Sequence, residues 1–314
     1  MLGWLGSFLH FQLEPVLAAG RLERWYGRQH LKRLLVDVPT AAYLPLRAAV
    51  KARFGRFPPI DGSLPKATVV LLSWRRAPNL NLLATLAARA PYVERVVVSN
   101  NNPRVRIADH LVVRSPKLIL IDQPRETPPG IRVPLALQYP GELFIFLDDD
   151  VFPTPHQLTR LYSALVRQPE VPHGYAGLRH LPLSDTSPAF KQGDWNTEVQ
   201  MLFRLYLCSR AVLERYLELA ERLGIVHAEF GNGEDILLSF SGAGRPRIHA
   251  IGHVLRCATS DLPGVAISAT VPEFVAERQR LTRRLLDLRP DLRTVPDPEW
   301  RWDLLEPAFS RRVR

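Results

Sequence analysis

Three consecutive carboxylates, Asp148, Asp149 and Asp150, close the stretch Glu142-Leu-Phe-Ile-Phe-Leu-Asp-Asp-Asp-Val-Phe-Pro153. Adjacent negative charges repel one another, and such a cluster persists where a divalent cation or the hydrogen-bond donors of a ligand offset the repulsion. The chemistry this opens is metal binding by the triplet. Oxygen-only donors suit Mg2+ or Mn2+ better than zinc. The plainer alternative is an acidic turn ahead of a helix. However, Thr154-Pro155-His156-Gln157 is itself a capping box with proline at the first helical position, so the three aspartates are surplus to the cap. An EF-hand is excluded, because no glycine or glutamate follows at loop spacing.

A second acidic constellation lies further along, in Phe230-Gly-Asn-Gly-Glu-Asp-Ile-Leu-Leu238. Its glycines free the backbone to approach a ligand, and Glu234 and Asp235 fall at the start of a helix whose dipole favours carboxylates there. Alone this is a common arrangement. Beside the triplet it suggests a division of labour, one carboxylate set holding metal and the other doing acid-base or nucleophilic work. His249 and His253 lie on a strand-like segment, residues 247–255. A lone histidine there reads first as a satisfied core residue, and His253 is carried as a candidate second metal contact.

The elements that must position these groups follow from the apolar pattern. Residues 143–147 are an unbroken apolar run, the mark of a strand buried on both faces of a parallel sheet, and its carboxyl end is where open α/β sheets bind ligands. Upstream, residues 68–72 read as a strand, 73–78 as its loop, and 79–89 as a helix with Asn79 as cap. A second strand opens at 96–98 and ends in Ser99-Asn-Asn-Asn102. Residues 118–121 form a third strand, and 126–138 a proline-broken helical stretch containing Arg132. This βαβ alternation predicts a Rossmann-like sheet. No glycine-rich dinucleotide fingerprint and no Walker lysine is present, which argues against a dehydrogenase or an NTPase. Beyond a helix at 155–167 come a long loop at 180–196, a strand at 199–207 and a helix at 209–223.

The 314 residues are 46% hydrophobic and 23% charged, ordinary for a folded domain. The net charge of +10 points to anionic partners. Only five of the 41 basic residues are lysine, and arginine suits bidentate phosphate contacts. No nucleic-acid-binding signature accompanies the charge. Cys208 and Cys257 form neither a disulfide framework nor a zinc pattern, and point to a reducing, cytoplasmic location.

Residues 1–20 are apolar at roughly helical spacing (Leu2, Trp4, Leu5, Phe8, Leu9, Leu13), without the basic start or cleavage site of a signal peptide and too short to span a bilayer. Ten basic residues against four acidic ones then place +6 of the charge within the first 66 residues. A Trp-bearing apolar helix followed by arginines reads either as an in-plane anchor on the inner membrane face, through residues 1–56, or as a helical extension packed on the main domain. The expected organisation is a basic helical extension at 1–64, an α/β domain at 65–290 and a tail at 291–314.

With these motifs in hand the chain resembles GT-A glycosyltransferases, and more narrowly the exostosin-like family (glycosyltransferase family 64). The resemblance runs over about residues 67–284. It rests on Thr68-Val-Val-Leu-Leu-Ser-Trp-Arg-Arg76, Val96-Val-Val-Ser-Asn-Asn101, Phe144-Ile-Phe-Leu-Asp-Asp-Asp150 and Asn232-Gly-Glu-Asp-Ile236. It implies the GT-A fold, a mostly parallel mixed sheet flanked by helices, and transfer of N-acetylhexosamine or hexose from a UDP-sugar with retention of configuration. The acceptor would be a glycan or, on the membrane reading of residues 1–56, a lipid-linked precursor. By position, Asp150 is similar to the family's metal ligand, Asp148 and Asp149 to carboxylates near the donor's ribose and sugar, and Arg76, Asn101 and Arg132 to donor contacts. Asp235 falls where the family has its catalytic carboxylate. The family's cysteine in the second motif is Gly233 here, and Arg278 and Arg280 are the nearest candidates for its late arginine. If the reaction inverts, as in family 2 glycosyltransferases with a similar motif, the same carboxylate is the base for the acceptor hydroxyl. A non-enzymatic basic membrane protein is the rival from another class, and it leaves both acidic motifs without work.

Overall fold

The computed structural model describes residues 2–22, 38–180, 190–192, 196–257, 259–260 and 265–293. Two helices come first, α1 (Leu2–Leu22) and α2 (Val38–Phe54). The alternating unit follows: β1 (Ala67–Ser73), α3 (Ala77–Arg89), β2 (Val93–Asn100), β3 (Leu118–Asp122), α4 (Arg132–Leu137) and β4 (Leu143–Asp148). Next are β5 (Val151–Phe152), α5 (Pro155–Arg167), β6 (His173–Gly174), β7 (Gly177–His180), β8 (Phe190–Gln192), β9 (Met201–Leu202) and β10 (Leu205–Ser209). The remainder is α6 (Arg210–Arg222), α7 (Glu234–Ser239), β11 (Arg247–Ile248), β12 (Leu255–Arg256), α8 (Ile267–Thr270) and α9 (Phe274–Leu288).

The main sheet has seven strands in the order β11-β6-β10-β4-β1-β2-β3. All its pairings are parallel except those of β10 with β4 and β6, so β10 alone runs against the rest. This is the α/β architecture the βαβ alternation predicts, a mostly parallel mixed sheet flanked by helices. All seven residues of β1 are buried, and its side chains alternate between two cores. Val69 and Leu71 face one with Phe8, Ala49, Leu83 and Leu161, while Val70 and Leu72 face the other with Val133, Leu213, Ile236 and Leu285. The chain leaves β1 toward β2 and β3, then returns to the opposite side of β1 as β4. The ends of β1 and β4 therefore form the switch point at which such sheets open a crevice. Their register sets Leu72 beside Asp148 and brings Ser73 level with the triplet.

Several local expectations change. Helix α3 begins at Ala77, with Pro78 in its first turn and Arg76 at the cap position, so Asn79 is a buried helical residue and not the cap. The strand expected over 199–207 is two strands, because Arg204 takes φ 72°. Met201–Leu202 pairs with β7 in a small three-stranded sheet, whereas Leu205–Ser209 joins the main one. The expected loop at 180–196 is in part a strand, Phe190–Gln192 pairing with β7; residues 181–189 and 193–195 lie outside the described residues. The capping box ahead of α5 forms as read, with both reciprocal bonds present. Most of the expected tail, residues 294–314, also lies outside the described residues.

The N-terminal helices pack on the sheet's first face. Phe8 is fully buried with its ring edge-on to Phe152, centroids 5.6 Å apart, and Trp4, Leu5, Leu9 and Phe11 pack around it. Of the apolar face read as a membrane anchor, Trp4, Leu5, Phe8 and Leu9 are thus packed against the core. Gln12, also buried, donates Nε2 to Asn79 Oδ1 at 2.8 Å.

Candidate functional site

A cavity of about 610 Å³ opens at the carboxyl ends of β1 and β4. It gathers the residues singled out by sequence: Arg76, Asn101, Arg132, Asp148, Asp149, Asp150, Glu234 and Asp235 all line it. The acidic motifs, more than eighty residues apart in the chain, face one space.

The three aspartates are held differently. Asp149 is tied down: Ser73 Oγ donates to its Oδ2 at 3.1 Å, the Trp74 amide to the same oxygen at 3.4 Å, and Arg76 Nη1 to Oδ1 at 3.0 Å. The Asp149 carbonyl accepts from Asn79 Nδ2 at 2.5 Å. Asp148 accepts from Arg132 Nη2 at 2.6 Å. Burial raises the Asp148 pKa to about 6, with Arg132 opposing the rise and Asp150 adding to it. The oxygens of Asp150 are only loosely paired, with Arg76 Nη2 and Arg204 Nε both at 3.7 Å. Among the described residues Asp150 is thus the one member of the triplet without a short bond to arginine, the condition a metal ligand needs. Its peptide is fixed through the Cys257 amide, which donates to the Asp150 carbonyl at 2.8 Å.

Arg76 is gripped from both sides, its Nε donating to Thr259 Oγ1 at 3.2 Å and Nη2 to the Thr259 carbonyl at 3.3 Å. Burial works against its charge, and Asp149 and Asp150 overcome that, leaving it more firmly protonated than a free arginine. Arg132 donates also to the hydroxyl of Tyr206, and lies 3.6 Å from Glu234. Asn101 is buried, its Oδ1 accepting from Ser99 Oγ at 2.9 Å.

The second motif turns on Gly233, whose φ of 103° caps α7; a Cβ there would stand 2.5 Å from Leu281 Cδ2. The position where the exostosin-like family carries cysteine is built here for glycine. Helix α7 starts with the two carboxylates in unlike surroundings. Asp235 is clamped by Arg278, with Nη1 and Nη2 donating to Oδ1 and Oδ2, each at 2.8 Å. Glu234 meets Arg132 only at 3.6 Å, and burial together with the neighbouring Asp235 charge pushes its pKa up to about 7. Of the two late arginines, Arg278 is the one at the site, since Arg280 pairs with Glu273 on the surface.

His253 does not join the site. It is exposed, away from the cavity lining, and its carbonyl accepts from Gln157 Nε2. His249 is a core residue paired with His173, Nε2 to Nδ1 at 2.9 Å. Among the described residues no group of three His, Cys, Asp or Glu side chains is poised around a metal position. Sequence reading missed Arg204 and Tyr206. Both sit in an apolar-looking run, and only the left-handed turn at Arg204 brings its side chain to Asp150.

No protein-family model matches the chain, and no curated protein matches it in sequence. Among solved structures it is similar to GalNAc-T7 with UDP, GalNAc and Mn2+, at 12% identity over 72% of this chain and 49% of that one, TM-score 0.48. It is similar to S. aureus TarS 1-349 at 17% identity over 70% and 65% of the two chains, TM-score 0.45. A third is the mannosyltransferase PcManGT from Pyrobaculum calidifontis in complex with GDP-Man and Mn2+, at 17% identity over 82% and 76%, TM-score 0.41. The chain thus spans about half of the first of these and just under two thirds of the second.

Proposed function

We propose that this chain is a metal-dependent GT-A glycosyltransferase that transfers a hexose or N-acetylhexosamine from a UDP-sugar to a glycan or lipid-linked acceptor. The observation that carries the reading is the single cavity in which an aspartate triplet and a separate Glu-Asp pair face each other across arginines. Six carboxylates and five arginines line it among the described residues, so its wall is slightly negative. A diphosphate would enter that wall with a cation rather than alone.

Asp150 would hold Mn2+ or Mg2+, with the remaining ligands supplied by the donor's phosphates and water. When bound, the ion would offset the charge that builds on the departing diphosphate. Arg76 and Arg204 flank the same place with guanidinium donors suited to phosphate oxygens. Arg132 and Asp148 hold each other in position, and Asn101 with the end of β1 offers contacts for the nucleoside. The reaction breaks the bond between the anomeric carbon and the diphosphate oxygen and forms one to an acceptor hydroxyl, whose proton must leave.

Retention is the outcome the exostosin-like resemblance supports, with Asp235 or Glu234 stabilising the positive charge that develops on the sugar. A specific observation favours inversion as the second reading. Arg278 neutralises Asp235, whereas Glu234, with a pKa near 7, is poised to take the acceptor's proton. The anomeric configuration of the first-formed product, read by proton NMR, separates the two.

Calorimetric titration of UDP with and without Mn2+, on wild type and on Asp150→Asn, tests the reading. We expect binding that requires the metal and falls at least about tenfold in the variant, with an unchanged melting temperature. Equal UDP affinity in the variant with Mn2+ present overturns the metal assignment. Absence of turnover across a panel of UDP- and GDP-sugars overturns the enzyme.

A further inference from the structure

Helix α2 (Val38–Phe54) carries a feature that the cavity does not use. One side of it is built into the fold through Pro45, Ala49 and Ala52, all buried. The opposite side exposes a row of large apolar side chains: Tyr43 is 59% exposed, Leu46 40%, Val50 49% and Phe54 72%. At 3.6 residues per turn these four fall within about 80° of one another around the helix axis. On the same wheel Arg47 and Lys51 run along one margin of the row and Arg53 along the other. Arg56 follows just beyond the helix, exposed, and no acidic residue occurs between Val38 and Ile60.

We propose that this face of α2 docks the protein in-plane on an anionic lipid surface. Each part of the pattern has a counterpart in that occupant. The row enters the boundary between headgroups and acyl chains, while the flanking guanidinium and ammonium groups meet lipid phosphates. A second copy of the chain fits less well, because α2 against α2 would bring Arg47, Lys51 and Arg53 of both copies together with no carboxylate of the helix between them. A nucleic acid would satisfy the charges but leave Phe54 and Val50 without an apolar partner. Among the described residues no helix is long and apolar enough to cross a membrane, and α2, with one face already buried, inserts only its other face. The surface is separate from the Trp4 and Phe8 face of α1, which the core occupies.

Flotation of the full chain tests this, using vesicles of phosphatidylglycerol with phosphatidylcholine against phosphatidylcholine alone, at low and high salt. We expect partition into the anionic vesicles that weakens as salt shortens the screening length. Arg47→Gln with Lys51→Gln lowers the partition coefficient about 30-fold, at roughly one kcal/mol per charge. Val50→Ser with Phe54→Ser lowers it by at least about 100-fold, from the lost apolar burial. All four side chains are at least partly exposed, so the variants should melt with the wild type, which the same preparations check. Flotation unchanged in the Ser variant overturns the proposal, as does a wild type that stays in the buffer. Light scattering after size exclusion supplies a third arm, since a dimer that the Ser variant converts to monomer would make the row an interface between copies and overturn it too.

Discussion

Removing the Asn79 side chain should show that the N-terminal helix belongs to the site. Gln12 on α1 donates to Asn79 Oδ1 at 2.8 Å, and Asn79 Nδ2 donates to the Asp149 carbonyl at 2.5 Å, all within the buried interior. This relay is the connection between residue 12 and the peptide that joins Asp149 to Asp150. In Asn79→Ala the Asp149 carbonyl and the Gln12 amide each lose a bond in a place water does not reach. A buried polar group left without its partner costs about 1–3 kcal/mol, so two of them cost roughly 2–6 kcal/mol. For a chain of this size that lowers the melting temperature by roughly 3–9 °C. Alanine is a good helix former, so none of the loss comes from α3 itself.

Gln12→Ala alone should cost less, about 1–2 kcal/mol, and the pair together should fall short of the sum by about 1 kcal/mol, because each change removes the same bond. Denaturant unfolding of the four proteins measures this directly. A second readout separates positioning from mere stability. In Asn79→Ala the Asp149 carboxylate stays fixed by Ser73 and Arg76 and the Asp150 carbonyl by Cys257, but the peptide joining the two aspartates loses its anchor, and metal-dependent UDP affinity should fall roughly tenfold. Additivity of the two mutations within about 0.5 kcal/mol would refute the relay. Full UDP affinity in a folded Asn79→Ala protein would refute its reach into the site.

Two pH predictions follow from the buried groups. If Glu234 takes the acceptor's proton it must be ionised first, so kcat/KM should rise with pH through about 7, and Glu234→Gln should abolish that limb; an unchanged profile would remove Glu234 from the role. His173, whose Nε2 donates to the Gln168 carbonyl, has its pKa lowered by burial from 6.5 to about 4, so its contribution to stability is complete above pH 6.5 and is lost as pH falls toward 4. His173→Gln should therefore flatten the decline of melting temperature between those two values, and an identical slope in both proteins would contradict it.

Much of the frame was legible because short-range rules govern it. The apolar run ending in Asp148 and the capping box at Thr154 each depend on residues adjacent in sequence, and both formed as read. Asn79 was misread for a physical reason. Proline favours the first turn, so α3 starts two residues earlier, and the asparagine amide is drawn inward by a carbonyl seventy positions away. The break at Arg204 gave no local signal, since arginine has no preference for the left-handed region and its neighbours read as one continuous strand. Its cause is tertiary: β9 and β10 belong to different sheets, and the chain must turn between them. His249 looked like a lone histidine because its partner, His173, lies 76 positions away.

The net charge of +10 pointed toward anionic partners, and the structure divides that charge into two kinds. In the cavity three of the five lining arginines are matched by short ion pairs: Arg76 with Asp149, Arg132 with Asp148, Arg278 with Asp235. Their guanidinium groups shape a site that is close to neutral, and their desolvation is offset by the carboxylates they hold. The surplus lies elsewhere, and part of it stands on α2, where Arg47 and Arg53 are in solvent and no acidic neighbour answers them from the same helix. A matched arginine orients what it touches, whereas an unmatched one attracts whatever anionic surface comes near. A charge count weighs both alike, so the basicity of this chain is uninformative about its cavity and informative about its outer face.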